Sequence, residues 1–322
     1  MEFLLNLQLF ADVTPINVTT QSQMSPTMKT FYDTALLENA REAMVFTQFG
    51  KKQPMHGNKC EWRKFNTFAK ALTPLTEGVI PSGKTFGMTN IEATTTQHGD
   101  YVAVSDRLEL EAYDDVIFGA TEEMGATEGE TYDTLTRNIL VAGNSVAYAG
   151  GKTSRASLTN DDILTPAMVN KAVTWLKKNK APRIDGSYVA LIHPSVAEDL
   201  RESAEWKEFH KYNDVQPIFK GEIGMLHGCR FVETNEAKVW KAGAGDVAVY
   251  ATLFLGKDAF GILDPEGEGM EMIVKTRDQI GGPLNQFSTI GYKFCHGAKI
   301  LYQERLLRVE TGSSYGSEDE EN

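Results

Sequence analysis

Between two runs of strand-forming residues, Lys59–Phe68 and Ile91–Val104, lies a stretch that Pro74, Gly78, Pro81, Gly83 and Gly87 keep from forming any regular structure. About twenty irregular residues are too many for an ordinary connection inside a compact domain, where loops mostly run to about 4–6 residues. The stretch is not simply polar. From Ala69 to Met88 it carries Leu72, Leu75, Val79, Ile80 and Phe86, side chains that are costly to leave in water unless a second surface covers them. The flanking runs pair naturally as a long hairpin with Cys60 and Trp62 on one face. A hairpin that ends in a long apolar loop confines the chain to folds that work by touching another molecule.

The rest of the chain reads as a mixed α+β fold. Ser25-Pro26 supplies an N-cap and first helical residue for a short amphipathic helix over roughly 26–46, and the residues before it behave as an arm. After Asp114 and Asp115, the residues Val116, Ala120, Met124, Thr127, Leu135 and Ile139 mark one face of a long helix. At 1.5 Å per residue it reaches about 36 Å. Gly119, Gly125 and Gly129 interrupt it, each costing about 1 kcal/mol relative to Ala, so packing must hold this helix or it flexes near Gly125 and Gly129.

Beyond a Gly- and Ser-rich segment, 143–157, helices alternate with short buried strands, the signature of an α/β unit. Thr165-Pro166 caps a helix bearing Val169, Ala172, Val173 and Leu176. Tyr188–Ile192 is a strand stopped by Pro194, and Ser195 with Glu198 forms a capping box for the next helix. Further strands follow at Cys229–Val232, Val247–Leu255 and Met272–Val274. Ile290, Tyr292 and Phe294 alternate with polar neighbours, and Ile300, Tyr302 and Leu306 continue past a His296-Gly297 turn, which predicts a closing antiparallel hairpin.

Composition narrows the function. Lys plus Arg total 32 against 44 Asp plus Glu, a net charge of -12 that disfavours general affinity for a phosphate backbone. Glu318, Asp319, Glu320 and Glu321 belong to a tail, 312–322, with too little apolar surface to order itself; it is expected to be mobile and dispensable for folding beyond Thr311. Cys60, Cys229 and Cys295 lack any paired spacing and read as reduced thiols. The apolar start, Phe3 to Phe10, is broken by Asn6 and Gln8 and preceded by no basic residue, so it is expected to be neither a signal peptide nor a membrane span.

Motifs that look chemical fail on context. Gly78-Val79-Ile80-Pro81-Ser82-Gly83-Lys84-Thr85 has the spacing of a phosphate-binding loop, and a P-loop NTPase is the rival reading from another class. That chemistry needs a buried strand before the loop and a helix N-terminus after it, whereas Thr-rich strand sequence follows Lys84. Gly312-Ser313-Ser314-Tyr315-Gly316 matches a nucleophile elbow but sits at the start of the acidic tail. His98, His193 and His227 recur with no partner at metal-ligand spacing, and the adjacent acids Glu122-Glu123 and Asp161-Asp162 point apart on a helix. No catalytic, cofactor-binding or metal site is expected.

Met28-Lys29-Thr30-Phe31-Tyr32-Asp33, Leu36-Leu37-Glu38-Asn39-Ala40 and Gln48-Phe49-Gly50-Lys51 resemble a family of tailed-bacteriophage major capsid proteins. Arg63-Lys64-Phe65, Thr73-Pro74-Leu75-Thr76-Glu77-Gly78, Gly99-Asp100-Tyr101-Val102, Gly221-Glu222-Ile223-Gly224, Arg230-Phe231-Val232-Glu233 and Pro283-Leu284-Asn285-Gln286 follow in the same order.

The resemblance implies the Hong Kong-type capsid fold shared by tailed phages, encapsulins and the herpesvirus shell floor. On that pattern an N-terminal arm covers 1–45, an extended loop 46–110, and a peripheral domain with a spine helix 111–145 and 283–311. An α/β axial domain covers 146–282, ahead of the disordered tail. It further implies self-assembly into pentamers and hexamers of an icosahedral head that encloses DNA without reading its sequence. The chain would be part of the virion and assemble in the host cytoplasm, with scaffold, portal or decoration proteins as possible partners and no membrane or cofactor. An encapsulin-like cargo shell is the nearest alternative. Some relatives of the fold join subunits through a Lys–Asn bond; Lys59, Lys64, Lys70 and Lys84 lie in or near the loop, but lysines are common in loops and no such crosslink is expected here.

Overall fold

The computed structural model describes residues 44–66, 68–75, 77–80, 83–111, 116–212, 222–265, 269–280, 284–316 and 318–322. The predicted arm and its 26–46 helix lie outside the described residues, apart from the last few. The elements run β1 (Lys51–Met55), β2 (Lys59–Phe65), β3 (Met88–Thr94), β4 (Thr96–Ser105), α1 (Asp106–Glu111), α2 (Val116–Val141) and β5 (Val146–Tyr148). Next come α3 (Pro166–Lys178), β6 (Tyr188–Ile192), α4 (Pro194–Glu202), α5 (Ala204–Tyr212), β7 (Glu222–Leu226), β8 (Cys229–Glu233), β9 (Val239–Lys241) and β10 (Ala248–Leu255). The chain closes with β11 (Phe260–Pro265), β12 (Glu271–Lys275), α6 (Arg277–Ile280), β13 (Phe287–His296), β14 (Ala298–Ile300) and β15 (Leu306–Thr311).

Two compact units divide the described residues: one takes those within 44–48, 97–136 and 269–296, the other those within 49–96, 137–265 and 297–322. In the first, β12, β13 and β4 form a three-stranded sheet. Its strands approach closely at two glycines: a Cβ on Gly99 would lie 2.5 Å from the Tyr292 carbonyl oxygen, and one on Gly291 would lie 2.7 Å from the Tyr101 Cβ. Helix α2 packs Met124, Tyr132 and Leu135 with Tyr292 and Phe294 of β13. Asp133, fully buried on α2, accepts from the amides of Val45, Phe46 and Thr47 at 2.8, 3.1 and 3.2 Å, so one carboxylate satisfies the free N–H groups of a short helical turn at Phe46–Phe49.

The second unit is built on a seven-stranded sheet ordered β5-β15-β10-β6-β8-β7, with β9 on β10. Strands β6 and β10 are buried along their whole length, as continuous apolar runs must be when both faces are covered. Helix α3 starts where Thr165 accepts from the Met168 amide ahead of Pro166, and ends on Lys177 and Lys178, which suit the negative end of the helix dipole. Its Val169, Ala172, Val173 and Leu176 pack with Val196 and Leu200 of α4 against Ala190, Phe231, Phe254 and Val309 of the sheet.

Several sequence expectations require correction. The strand run 91–104 is two strands: β3 pairs with β2 in register from Lys59↔Thr94 to Phe65↔Met88, while β4 joins β13. No closing hairpin forms at His296-Gly297, because β13 pairs with β12, β14 with β11, and β15 lies antiparallel to β10 and parallel to β5. Strand β12 groups with β13 in the first unit and β15 with the large sheet in the second. The cap of α4 is His193, whose Nδ1 accepts from the Ser195 amide, rather than the Ser195–Glu198 box.

The tail is held, not free. Ser313 is fully buried and donates to the Ser195 carbonyl oxygen at 3.0 Å; Ser314 bonds Asp199. The Tyr250 and Ser195 hydroxyls donate to Asp319 at 2.6 and 3.0 Å, and Asn322 joins the edge of β9 through the Val239 amide. Charge did not disorder this segment because its short polar side chains satisfy buried groups of the unit itself. Deletion beyond Thr311 is thus expected to cost about 2–4 kcal/mol, from several hydrogen bonds at about 0.5–1.5 kcal/mol each and the donors left unsatisfied. Thermal melting of the truncated chain checks this, and an unchanged melting temperature would restore the mobile tail.

Candidate functional site

Strands β2 and β3 form a two-stranded antiparallel ribbon. Along β2, exposed and half-buried residues alternate, and the inner face places Cys60 and Trp62 against Met55, Ala93 and Leu263. The ribbon closes where the Asn66 amide donates to the Gly87 carbonyl oxygen at 3.0 Å and the Thr89 hydroxyl to Asn66 Oδ1 at 3.1 Å. Beyond that closure no regular element occurs among the described residues until β3.

Leu72, Leu75, Val79, Ile80 and Phe86 are all exposed there, from 62% at Val79 and Phe86 to 93% at Ile80. Phe86 gathers Phe65 and Phe68 around it, with ring centroids 5.0 and 6.0 Å away. Sequence reasoning missed Phe65, Phe68 and Met88, which share this exposure; the signal was the strand alternation of β2, which places Phe65 on its outer face. Of the twelve large apolar side chains exposed among the described residues, eight lie between Phe65 and Met88, so the exposure is concentrated in one segment rather than scattered as on an ordinary surface.

The same segment lacks the geometry of a nucleotide cradle. Lys84 Nζ donates to the Ala69 carbonyl oxygen within the loop, and the element that follows is β3, not a helix. Of the other lysines, Lys59 pairs with Glu92 at 2.5 Å, an interaction that raises its pKa, and Lys64 lies 3.4 Å from Glu304 and over the Tyr302 ring. Among the described residues no three His, Cys, Asp or Glu side chains meet as a metal would require, and no helix is long and apolar enough to cross a membrane.

Gly125 and Gly129 both lie inside α2, which continues unbroken through them from Val116 to Val141. Two turns beyond Gly129, Thr136 Oγ1 and His296 Nε2 are 3.0 Å apart, and Tyr132 stands edge-on to the His296 ring at 4.8 Å. Burial pushes the His296 pKa down to about 4, with the charge of His98 adding to the effect. A histidine depressed in the fold is protonated more readily once unfolded, so its contribution is complete above the ordinary value of 6.5 and is lost as pH falls through 6.5 toward 4. The expected acid sensitivity from this histidine is about 3 kcal/mol, measured as the change between pH 7.5 and pH 4 in the stability difference between the wild type and His296→Phe, in which groups common to both chains cancel.

A family model described as phage capsid protein matches residues 134–263. Among solved structures, the chain is similar to the capsid of Ralstonia phage GP4, at 16% identity and a TM-score of 0.65 over 84% of this chain and 89% of that one. It is also similar to the cyanophage Pam1 capsid asymmetric unit, at 12% identity and 0.68 over 98% and 100%, and to a virus-like particle from Pyrococcus furiosus, at 8% and 0.52 over 88% and 99%. No curated protein matches the chain. The fold is that of the phage capsid proteins, and the resemblance read from the sequence is borne out.

Proposed function

We infer that this chain is the major capsid protein of a tailed bacteriophage, a structural subunit whose copies assemble into the shell of the head. One observation carries this reading: the phage-capsid sequence pattern at 134–263 lies within a chain whose fold is capsid-like over 84–98% of its length. The concentration of exposed apolar side chains between Phe65 and Met88 supports it from an independent direction. The Pyrococcus particle shares the fold at a lower TM-score than the phage capsids, and the family pattern favours the phage shell over an encapsulin-like compartment.

In this reading pentamers and hexamers make up the shell, and Leu72, Leu75, Val79, Ile80 and Phe86 are covered by a neighbouring subunit. Gly125 and Gly129 give α2 the freedom to flex as the shell changes shape. The subunit does no chemistry and needs no cofactor. It is part of the virion, assembled in the host cytoplasm, and scaffold, portal or decoration proteins would bind it there. A net charge of -12 suits enclosure of DNA without a general hold on its phosphates.

Electron microscopy of the chain, expressed alone and together with the products of its neighbouring genes, tests the reading. Closed particles of uniform diameter are expected, carrying DNA when the packaging genes are present. Small oligomers under every condition would overturn it, and particles filled with a single enzyme would favour the encapsulin-like alternative.

A further inference from the structure

Helix α2 carries a carboxyl group at the centre of its apolar contact. Glu128 is 0% exposed, and neither of its carboxyl oxygens has a hydrogen-bond partner. At about 100° per residue, Glu128 projects about 40° from Met124 on one side and about 40° from Tyr132 on the other. Both of those neighbours pack with Phe294 in one apolar cluster, so the arc between them faces the β12-β13-β4 sheet.

The titratable groups of that layer are known. From β4 comes His98, stacked on Phe294, and from β13 come Tyr292 and His296; the Glu271–Lys293 pair between β12 and β13 is substantially exposed. The helix contributes Tyr132 and Asp133, whose carboxylate is taken by the Val45, Phe46 and Thr47 amides. None of them gives Glu128 a hydrogen bond or ion pair. A charged carboxylate cannot stay in such a layer without a partner, because its desolvation is uncompensated.

We propose that Glu128 is a proton-controlled latch on α2: uncharged, it stays packed in the apolar layer, and ionised, it drives that turn of the helix off the sheet, with Gly125 and Gly129 supplying the backbone freedom. Burial alone pushes its pKa from the ordinary 4.5 up to about 7. The sign follows from linkage. The packed form holds the proton more tightly than the open form, so packing is favoured at low pH and weakens as pH rises from 4.5 through about 7. Those two values make the open population grow about tenfold between pH 6 and pH 8.5. His296 has the opposite slope, which a Glu128 variant would share and so cancel.

Hydrogen exchange of the full chain, followed in peptides from 118–136 and corrected for intrinsic rates, measures the opening. Relative to Glu128→Gln, the wild type is expected to show the extra, roughly tenfold pH-dependent opening, and Glu128→Leu is expected to stay closed at both pH values. Equal pH dependence in wild type and Glu128→Gln overturns the proposal. Should both variants fail to fold, the wild type alone decides: with carboxyl-labelled glutamate, one carbon resonance must titrate near pH 7, and a set that all titrates near 4.5 overturns the latch. The latch belongs to a single chain, so its failure leaves the capsid reading intact.

Discussion

Replacing Leu72–Phe86 with a short Gly-Ser linker is expected to abolish closed particles while leaving the subunit folded. The segment holds five of the exposed apolar side chains, and among the described residues its tie to the rest of the chain is local: Lys84 to Ala69, and Phe86 to Phe65 and Phe68. The closure at Asn66 and Gly87 lies outside the replaced residues. Few native contacts are lost, so melting of the isolated subunit should shift by no more than about 2 °C, as for surface changes generally. Assembly is a different matter. A specific contact buries about 1,200–2,000 Å² in total, and a few buried apolar anchors at its centre dominate the energy. Because each subunit of a shell repeats the loss, sedimentation should show small oligomers and no particles. Normal particles from this variant would remove the loop from assembly.

That loop was legible as an irregular, exposed segment because Pro and Gly break regular structure and the apolar letters between them have no strand or helix to bury them. Both signals are local in sequence. The same holds for the α3 cap at Thr165 and for the continuous apolar strands β6 and β10. Partner choice among strands was not legible. Alternation at Ile290, Tyr292 and Phe294 says which face is buried, but β12 and β4 were selected as neighbours by packing that no period encodes. Glu128 was invisible for a related reason: beside Thr127, which was read as facing inward, a glutamate looks like solvated surface until the helix phase is fixed by Met124 and Tyr132. The tail misled because composition measures what a segment can bury, not which unsatisfied groups await it.

Glu310→Ala is expected to cause the largest loss of stability of any substitution considered. Glu310 lies on β15 between β10 and β5 and is fully buried. Arg155 approaches it with two parallel hydrogen bonds, Nε to Oε2 and Nη2 to Oε1, both at 2.8 Å, while its guanidinium plane stacks over Trp240 at 3.5 Å. Arg308 Nε adds an ion pair at 2.8 Å. Two cations thus share one carboxylate in the interior of the sheet, and removing it leaves both without their counter-charge. Breaking a buried pair from one side costs about 3–5 kcal/mol, which for a unit of this size lowers the melting temperature by about 10 °C. Glu310→Gln keeps the shape and one acceptor oxygen and should fall between the two. Lys59→Ala provides the contrast: its partner Glu92 is as exposed as Lys59 itself, and melting should not change. A loss for Glu310→Ala no greater than for Lys59→Ala would mean that water replaces the carboxylate and that the two arginines are not buried as deeply as their contacts imply.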